Sequence, residues 1–541
     1  MPKKKTVDSL ERLCLEYVAD TMEDIWARDY TDSYLDDGRS PDALGPFIVL
    51  PDLLLQELFQ LVKNKEPLTS AVLRLFLVPQ LKKLDLSSCT HQVSESFAQT
   101  IAARCKKLST LDLYRCNEVP AETLIHLVKE LPSIVKLGLS ETQCNTQVLV
   151  AIRSCCSQLR DLDISGCANL SLDSVLHLVY DPNGGSLCCQ SLQVLEAGPS
   201  SLSVNMEDCV WILVFVLLAL PKLELLFHFF VAEAVCLIHS QQFGSSQILP
   251  GFPSLEKLAW WRRTLDLPRE ESARLTLRLR EVQHIEEPSL PLVCAVCPHL
   301  EEVSVIIRGR PGWSQSFSSC GSISRLSLYA RECEDFRALL PVLESLGPQL
   351  RSLYISGFCF IDQFSFHVLL RHCVNLQKLS IYFCSPLVYS HGEGQPDFAA
   401  LDWDFRLPPL QFPWLHEFSL TYADTENPLP FPHVLLLRHS LQWLLTHSPY
   451  LDSLNLSHLP FDLDQLFYNV LVPPSTALLH LSRVTLEEVY ASLTSVHLLL
   501  ISQNELSYLK LLLCSEIHQM EYERILDRVD AEGFDLEVEW G

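Results

Sequence analysis

The sequence predicts an α/β solenoid, with short parallel strands stacked on a concave face and helices on the convex face. Three observations carry this expectation. Leu108, Leu111 and Leu113 have the spacing L-x-x-L-x-L, and Cys116 follows three residues later. The pattern recurs at Leu81-Leu84-Leu86, Ile134-Leu137-Leu139 and Leu159-Leu162-Ile164, with steps of 27, 26 and 25 residues between the first positions. The residues ahead of each unit, such as Phe97–Arg104, read as a helix. A strand and a helix of this size cannot bury their apolar faces alone, and need copies of themselves on both sides.

This period resembles the cysteine-containing leucine-rich repeats found in many ubiquitin-ligase receptors. Weaker units follow at Leu192, Leu223 and Leu255, then clearer ones at Leu300, Ile323, Leu350, Leu376, Leu415, Leu451 and Leu506, with a faint one near Leu481. Leu536, Val538 and Trp540 alternate with acids, as a closing edge strand would. About fifteen parallel strands are expected, spaced roughly 4.8 Å apart. The expected division is a helical adaptor-binding module over 1–76 and a solenoid over 77–541, with polar insertions at 385–413 and 423–432.

Of 541 residues, 48% are hydrophobic, which excludes a mainly disordered chain. The formal net charge of −25 argues against broad nucleic-acid or anionic-membrane binding, since both need a basic field. The most apolar run, Val210–Leu220, is far shorter than the roughly 20 residues of a membrane span, and reads as a buried repeat helix. No apolar signal segment follows Met1-Pro2-Lys3-Lys4-Lys5, so a reducing compartment, cytoplasm or nucleus, is expected for the 20 cysteines. Many of these have a packing role. Cys89, Cys116 and Cys167 follow repeat strands, while Cys105, Cys156, Cys297 and Cys373 precede the first Leu of a unit by three residues. Cys294-x-x-Cys297 lacks a second pair to complete a zinc site, and no metal or other cofactor is expected.

Residues Val7–Trp26 read as one amphipathic helix with Asp8 or Ser9 as its cap. Leu10, Cys14 and Val18 fall at i, i+4 and i+8, and Leu13 and Tyr17 widen the stripe. Ser9-Leu10-x-x-x-Cys14-x-x-x-Val18 resembles the elongin-binding box. That resemblance implies a Leu10 that enters a pocket on elongin C, with elongin B as the further partner, and a Cys14 small enough for close approach. After an acidic loop over 29–37, Leu50-Pro51-x-x-Leu54 is similar to the aliphatic-Pro-x-x-aliphatic box that selects cullin-2, with Pro51 in the first helical turn. The layout of Ser9–Leu55 is also similar to the front of the Zyg-eleven and Zer receptors of cullin-2 ligases. Their armadillo helices have no counterpart here. A competing resemblance is the F-box, whose start is matched by Leu50-Pro51-Asp52-Leu53-Leu54-Leu55-Gln56-Glu57-Leu58-Phe59 but whose later elements are missing.

No phosphate loop, nucleophile elbow or His-Glu metal pair is present, so no catalytic residue is expected. Function is expected on two surfaces: the adaptor helix and the strand face, where a protein substrate would bind. The residues flanking strand leucines point out of the core; they include Asp85, Asp112, Asp161 and Asp163, then Trp261, Tyr329, Tyr354 and Tyr382. The acids read best as a solvated face, and the aromatics as a partner surface. A repeat scaffold or inhibitor that recruits no ligase is the reading from a different class.

Overall fold

The computed structural model describes residues 2, 4, 9–30, 45–65, 68–198, 205–243, 250–266, 275–359, 371–384, 412–422, 431–472 and 477–541. Val7, Asp8, Lys3, Lys5, the loop over 31–37 and nearly all of both insertions lie outside them. The described residues form two compact units. One comprises Val7–Gln283 with Ala295–Leu300; the other comprises Met1–Thr6, His284–Cys294 and Glu301–Gly541.

The first unit begins with helices. α1 (Leu10–Asp20) starts at Ser9, whose hydroxyl oxygen accepts the Arg12 backbone N–H at 3.1 Å. The predicted single helix to Trp26 loosens after Asp20 into a π segment, Met22–Ala27, before a last α turn at Arg28–Tyr30. The Thr21 hydroxyl donates to the Tyr17 carbonyl at 2.8 Å, a back-bond that competes with the regular ladder at the break. α2 (Asp52–Lys63) and α3 (Ser70–Leu75) follow. Phe47 joins these elements, with its ring 5.6 Å from Trp26 and 5.5 Å from Phe76.

Six strands then pair in parallel: β1 (Lys83–Asp85), β2 (Thr110–Asp112), β3 (Lys136–Gly138), β4 (Asp161–Asp163), β5 (Val194–Glu196) and β6 (Leu225–Phe227). The middle leucines are in register from Leu84 through Leu111, Leu137, Leu162 and Leu195 to Leu226, and all are buried. The apolar run at Val210–Leu220 lies largely in helix Met206–Ala219, whose residues from Ile212 onward are buried; β6 follows it. Among the described residues, no helix is long and apolar enough to cross a membrane.

Ten strands form the other large sheet: β7 (Glu281–Glu286), β8 (Glu302–Ile307), β9 (Arg325–Asp335), β10 (Ser352–Cys359), β11 (Lys378–Phe383), β12 (Glu417–Tyr422), β13 (Ser453–Ser457), β14 (Arg483–Glu487), β15 (Tyr508–Leu512) and β16 (Glu537–Trp540). β8 to β16 pair in parallel, and the second unit's residues begin within β7, at His284. The faint unit near Leu481 is β14, and the expected closing edge is β16. The fold is thus α/β, with each unit a leucine-rich-repeat solenoid. Leu, Ile, Val and Phe from β1 through β15 fill the interior, together with the buried small cysteines, while Val538 of β16 is only half-buried. Burial pushes the thiols of Cys105, Cys116, Cys156 and Cys373 up to about 12, so they stay protonated and inert.

Two further expectations fail. Leu255-x-x-Leu258 is not a strand: Leu255–Asp266 is a helix, started by Ser254 accepting the Lys257 N–H at 3.3 Å. The buried positions Leu255, Leu258, Ala259 and Arg262 follow i, i+3, i+4, i+7, and the next apolar residue, Trp260, is exposed. Trp261 therefore lies on a helix rather than on the strand wall, with the Lys257 ammonium 4.8 Å from its ring centre. Pro51 is one residue ahead of its predicted place, at the N-cap with extended backbone, and α2 begins at Asp52.

Candidate functional site

α1 is packed on one side only. Leu15 and Ala19 are buried, as is Met22 beyond them, whereas Leu10, Leu13, Cys14 and Tyr17 are all exposed, Leu10 to 77%. These four occupy i, i+3, i+4 and i+7, so they form one continuous apolar stripe pointing away from the unit. Val18 lies half-buried at its edge rather than in it. Ser9 serves as the cap. Single exposed apolar side chains are ordinary on a protein surface; here four share one helix face.

A second apolar patch lies at the start of α2. The Gln80 side-chain amide donates to the carbonyls of Ile48 at 2.7 Å and Leu50 at 3.1 Å. The Asp52 carboxylate accepts the Lys82 N–H at 3.2 Å. These bonds fix residues 47–52 against the residues leading into β1. Leu50 and Leu54 are half-buried and Pro51 is exposed. The most exposed side chains here are Val49, at 82%, and Leu53, at 77%, with Ile48 beside them. Spacing alone did not single these out, because it cannot say which side of the segment Gln80 will hold.

The three tyrosines come from adjacent strands β9, β10 and β11. Tyr329 and Tyr382 are each in register with Ser356, one on either side, and Tyr354 is in register with Ser327 and Ser380. Equal repeat steps thus place Tyr329 and Tyr382 at one level and Tyr354 two residues earlier. The rings of Tyr329 and Tyr354 stand 5.2 Å apart. Burial, and then the neighbouring Tyr354, raise the Tyr329 phenol above its ordinary value, so it is an O–H donor at neutral pH. Tyr329 and Tyr382 remain about two-fifths exposed, at 40% and 39%. Their strand neighbours Leu328 and Ile381 fill the interior instead.

The aspartates of the first unit have local jobs. The Oδ1 atoms of Asp85, Asp112 and Asp163 accept backbone N–H groups two residues on, from Ser87, Tyr114 and Ser165, at 2.9, 3.0 and 2.9 Å. Each bond closes the turn after its strand. Asp161 pairs with Lys136 at 2.6 Å. A Cβ on Gly138 would meet the Asp112 Oδ1 atom, the one that accepts the Tyr114 N–H, at 2.6 Å. Among the described residues no cluster of His, Cys, Asp or Glu is arranged to hold a metal ion.

No protein-family model matches this chain. A stretch of 88 residues is 31% identical to F-box/LRR-repeat protein 4 of Bos taurus, covering 16% of this chain and 14% of that protein. A stretch of 134 residues is 27% identical to DNA repair protein RAD7 of Saccharomyces cerevisiae, covering 25% and 23%. The chain thus spans less than a quarter of the length of these curated relatives. Among solved structures, yeast Rad7 in complex with Elc1 aligns over 93% of both chains at 15% identity and a TM-score of 0.34. The leucine-rich repeat-containing protein LegL7 of Legionella pneumophila aligns over 66% of this chain and 90% of its own at 14% identity and a TM-score of 0.27.

Proposed function

We propose that this protein is a substrate-recruiting subunit of a cullin–RING ubiquitin ligase. In this reading α1 docks into an elongin C groove, with elongin B bound behind it. The segment around Leu50-Pro51 meets cullin-2, and the tyrosines of β9–β11 hold a protein substrate. The protein carries out no chemistry itself. It raises the effective concentration of a target lysine near the charged conjugating enzyme, in the cytoplasm or the nucleus. The observation that carries the reading is the exposed stripe Leu10-Leu13-Cys14-Tyr17 on a helix whose opposite side is already packed. A helix presenting i, i+3, i+4 and i+7 anchors is the form a groove accepts.

A second reading, an F-box-type receptor of a cullin-1 ligase, is favoured by the local similarity to an F-box/LRR-repeat protein and by the exposure of Val49 and Leu53 at the start of the Leu-Pro helix. Affinity purification of the full chain from cells, followed by protein identification, separates the two. Elongins with cullin-2 support the first, and a Skp-type adaptor with cullin-1 supports the second. A chain that captures neither set is a scaffold or inhibitor outside the ligase system.

A further inference from the structure

We infer that Cys333 and Cys384 form an oxidisable dithiol, a site at which a hydroperoxide closes a disulfide across strand β10.

The geometry follows from two irregularities in the sheet. β9 and β10 pair in order from Arg325↔Ser352 to Tyr329↔Ser356, then slip, and resume at Glu334↔Phe358. Residues 330–333 of β9 are therefore extra, and they bulge opposite a single residue, Gly357. Gly357 has φ +82, and a Cβ on it would meet the Ala330 carbonyl oxygen at 2.2 Å, so only glycine permits the bulge to fold down here. β10 and β11 also slip, between Ser356 and Phe358, and beyond β11 the Cys384 N–H donates to the Phe358 carbonyl at 3.0 Å. Phe358 is thus flanked by Glu334 on one side and by Phe383 and Cys384 on the other. Two thiols on strands that are not neighbours would ordinarily be separated by two strand spacings, roughly 9–10 Å. The bulge cancels that gap: the Cys333 and Cys384 Sγ atoms stand 2.6 Å apart.

The surroundings select this pair. Both thiols are half-exposed, so a small oxidant reaches them. The third nearby cysteine, Cys359, is buried, and its thiol donates to the Glu334 carbonyl at 3.3 Å. Its hydrogen bond with Cys333, and then burial, push the Cys359 thiol far above the usual range, so it is no nucleophile. Glu332 and Glu334 flank Cys333 in the chain, while Arg331 pairs with Glu286 and Arg337 with Asp335. The two flanking carboxylates disfavour an anionic disulfide such as oxidised glutathione relative to an uncharged oxidant.

The reaction balances with one hydrogen peroxide. One thiolate sulfur attacks a peroxide oxygen, the O–O bond breaks, and the departing hydroxide takes up a proton to leave as water; the product is a sulfenic acid. The second sulfur attacks the first, the S–O bond breaks, and a second water departs with the second thiol's proton. The two thiols lose two electrons in total, and the peroxide gains them. The new bond ties β9 to β11, the strands that carry Tyr329 and Tyr382, over the top of β10.

The test is to treat the purified full-length chain with a small excess of hydrogen peroxide, alkylate the remaining thiols, and map non-reduced peptides by mass spectrometry. The expected result is a Cys333–Cys384 linked peptide as the dominant product, removed by dithiothreitol and absent from Cys384→Ser. The thermal midpoint should also rise on oxidation of the unaltered chain, and not of Cys333→Ser. Full alkylation of both residues while other cysteines oxidise would overturn the inference, as would a Cys333–Cys359 link or sulfinic acid at Cys333 without a link. The unaltered chain decides the matter even where a serine variant folds poorly.

Discussion

The Gln80 side-chain amide holds the Ile48 carbonyl at 2.7 Å, across 32 residues of chain. This bond connects the residues leading into the first repeat strand to the segment on which the cullin-box resemblance falls. It leaves Ile48, Val49 and Leu53 facing outward, so the patch is built by the repeat array rather than by the local sequence alone.

Val49→Ala with Leu53→Ala should therefore remove cullin-2 from a pull-down while elongin C remains at full yield. Leu50 and Leu54, being half-buried, should matter less for cullin capture and more for folding. If a cullin-1 adaptor is lost in place of cullin-2, the F-box reading takes over.

Tyr329→Ala with Tyr382→Ala should weaken substrate capture by at least about tenfold, since truncating an interface tyrosine typically costs ~1–2 kcal/mol. Elongin C recovery serves as the internal control and should not change. Equal substrate recovery from a folded double variant would move the binding surface elsewhere.

Asp464 fastens helix Leu463–Leu471 to the next repeat within the second unit. It accepts the Ser492 N–H at 3.1 Å and the Ser495 N–H at 3.2 Å, together with both serine hydroxyls. Burial opposes its charge, but the bonds from Ser492 and Ser495 outweigh it and hold the carboxyl below its ordinary value. A carboxyl depressed by folding adds stability above its unfolded pKa, and loses it as the pH falls through the folded value. Asp464→Ala should destabilise the chain by roughly 1–3 kcal/mol near neutral pH, nearer the lower figure because the site is partly solvated. The difference between the two proteins should shrink below about pH 4. Denaturant melts at two pH values measure this; a gap that is constant with pH would show that lost packing, not charge, is responsible.

Gly357→Ala should cost more than an ordinary glycine substitution, because the left-handed backbone and the Ala330 carbonyl both oppose a Cβ. A melting temperature within a degree or two of the parent would mean that the bulge relaxes freely.

The repeat strands were legible because L-x-x-L-x-L combines a period of two with a turn, and few other structures need it. The pattern misled at Leu255, where i, i+3 and i+4 spacing serves a helix equally well until Trp260 is seen to be exposed. β7 was missed for the opposite reason. His284 has φ +57, which breaks the alternation, so the buried Val282 and Ile285 are three apart rather than two. In the candidate site, the Ser9 cap and the Leu10-Cys14 face were readable from local spacing. The exposure of Val49 and Leu53 was not, since it depends on Gln80, and neither was the meeting of Cys333 with Cys384, since it depends on a bulge.

The central claim is tested most directly by titrating recombinant elongin B/C onto the full-length chain and onto its Leu10→Ser, Cys14→Phe variant by calorimetry, with circular dichroism to establish folding. The stripe is exposed, so the variant should fold as the parent does, and its affinity should fall by at least about 100-fold. Equal affinity of parent and variant, or no heat with either, would contradict the assignment of α1 as the adaptor helix.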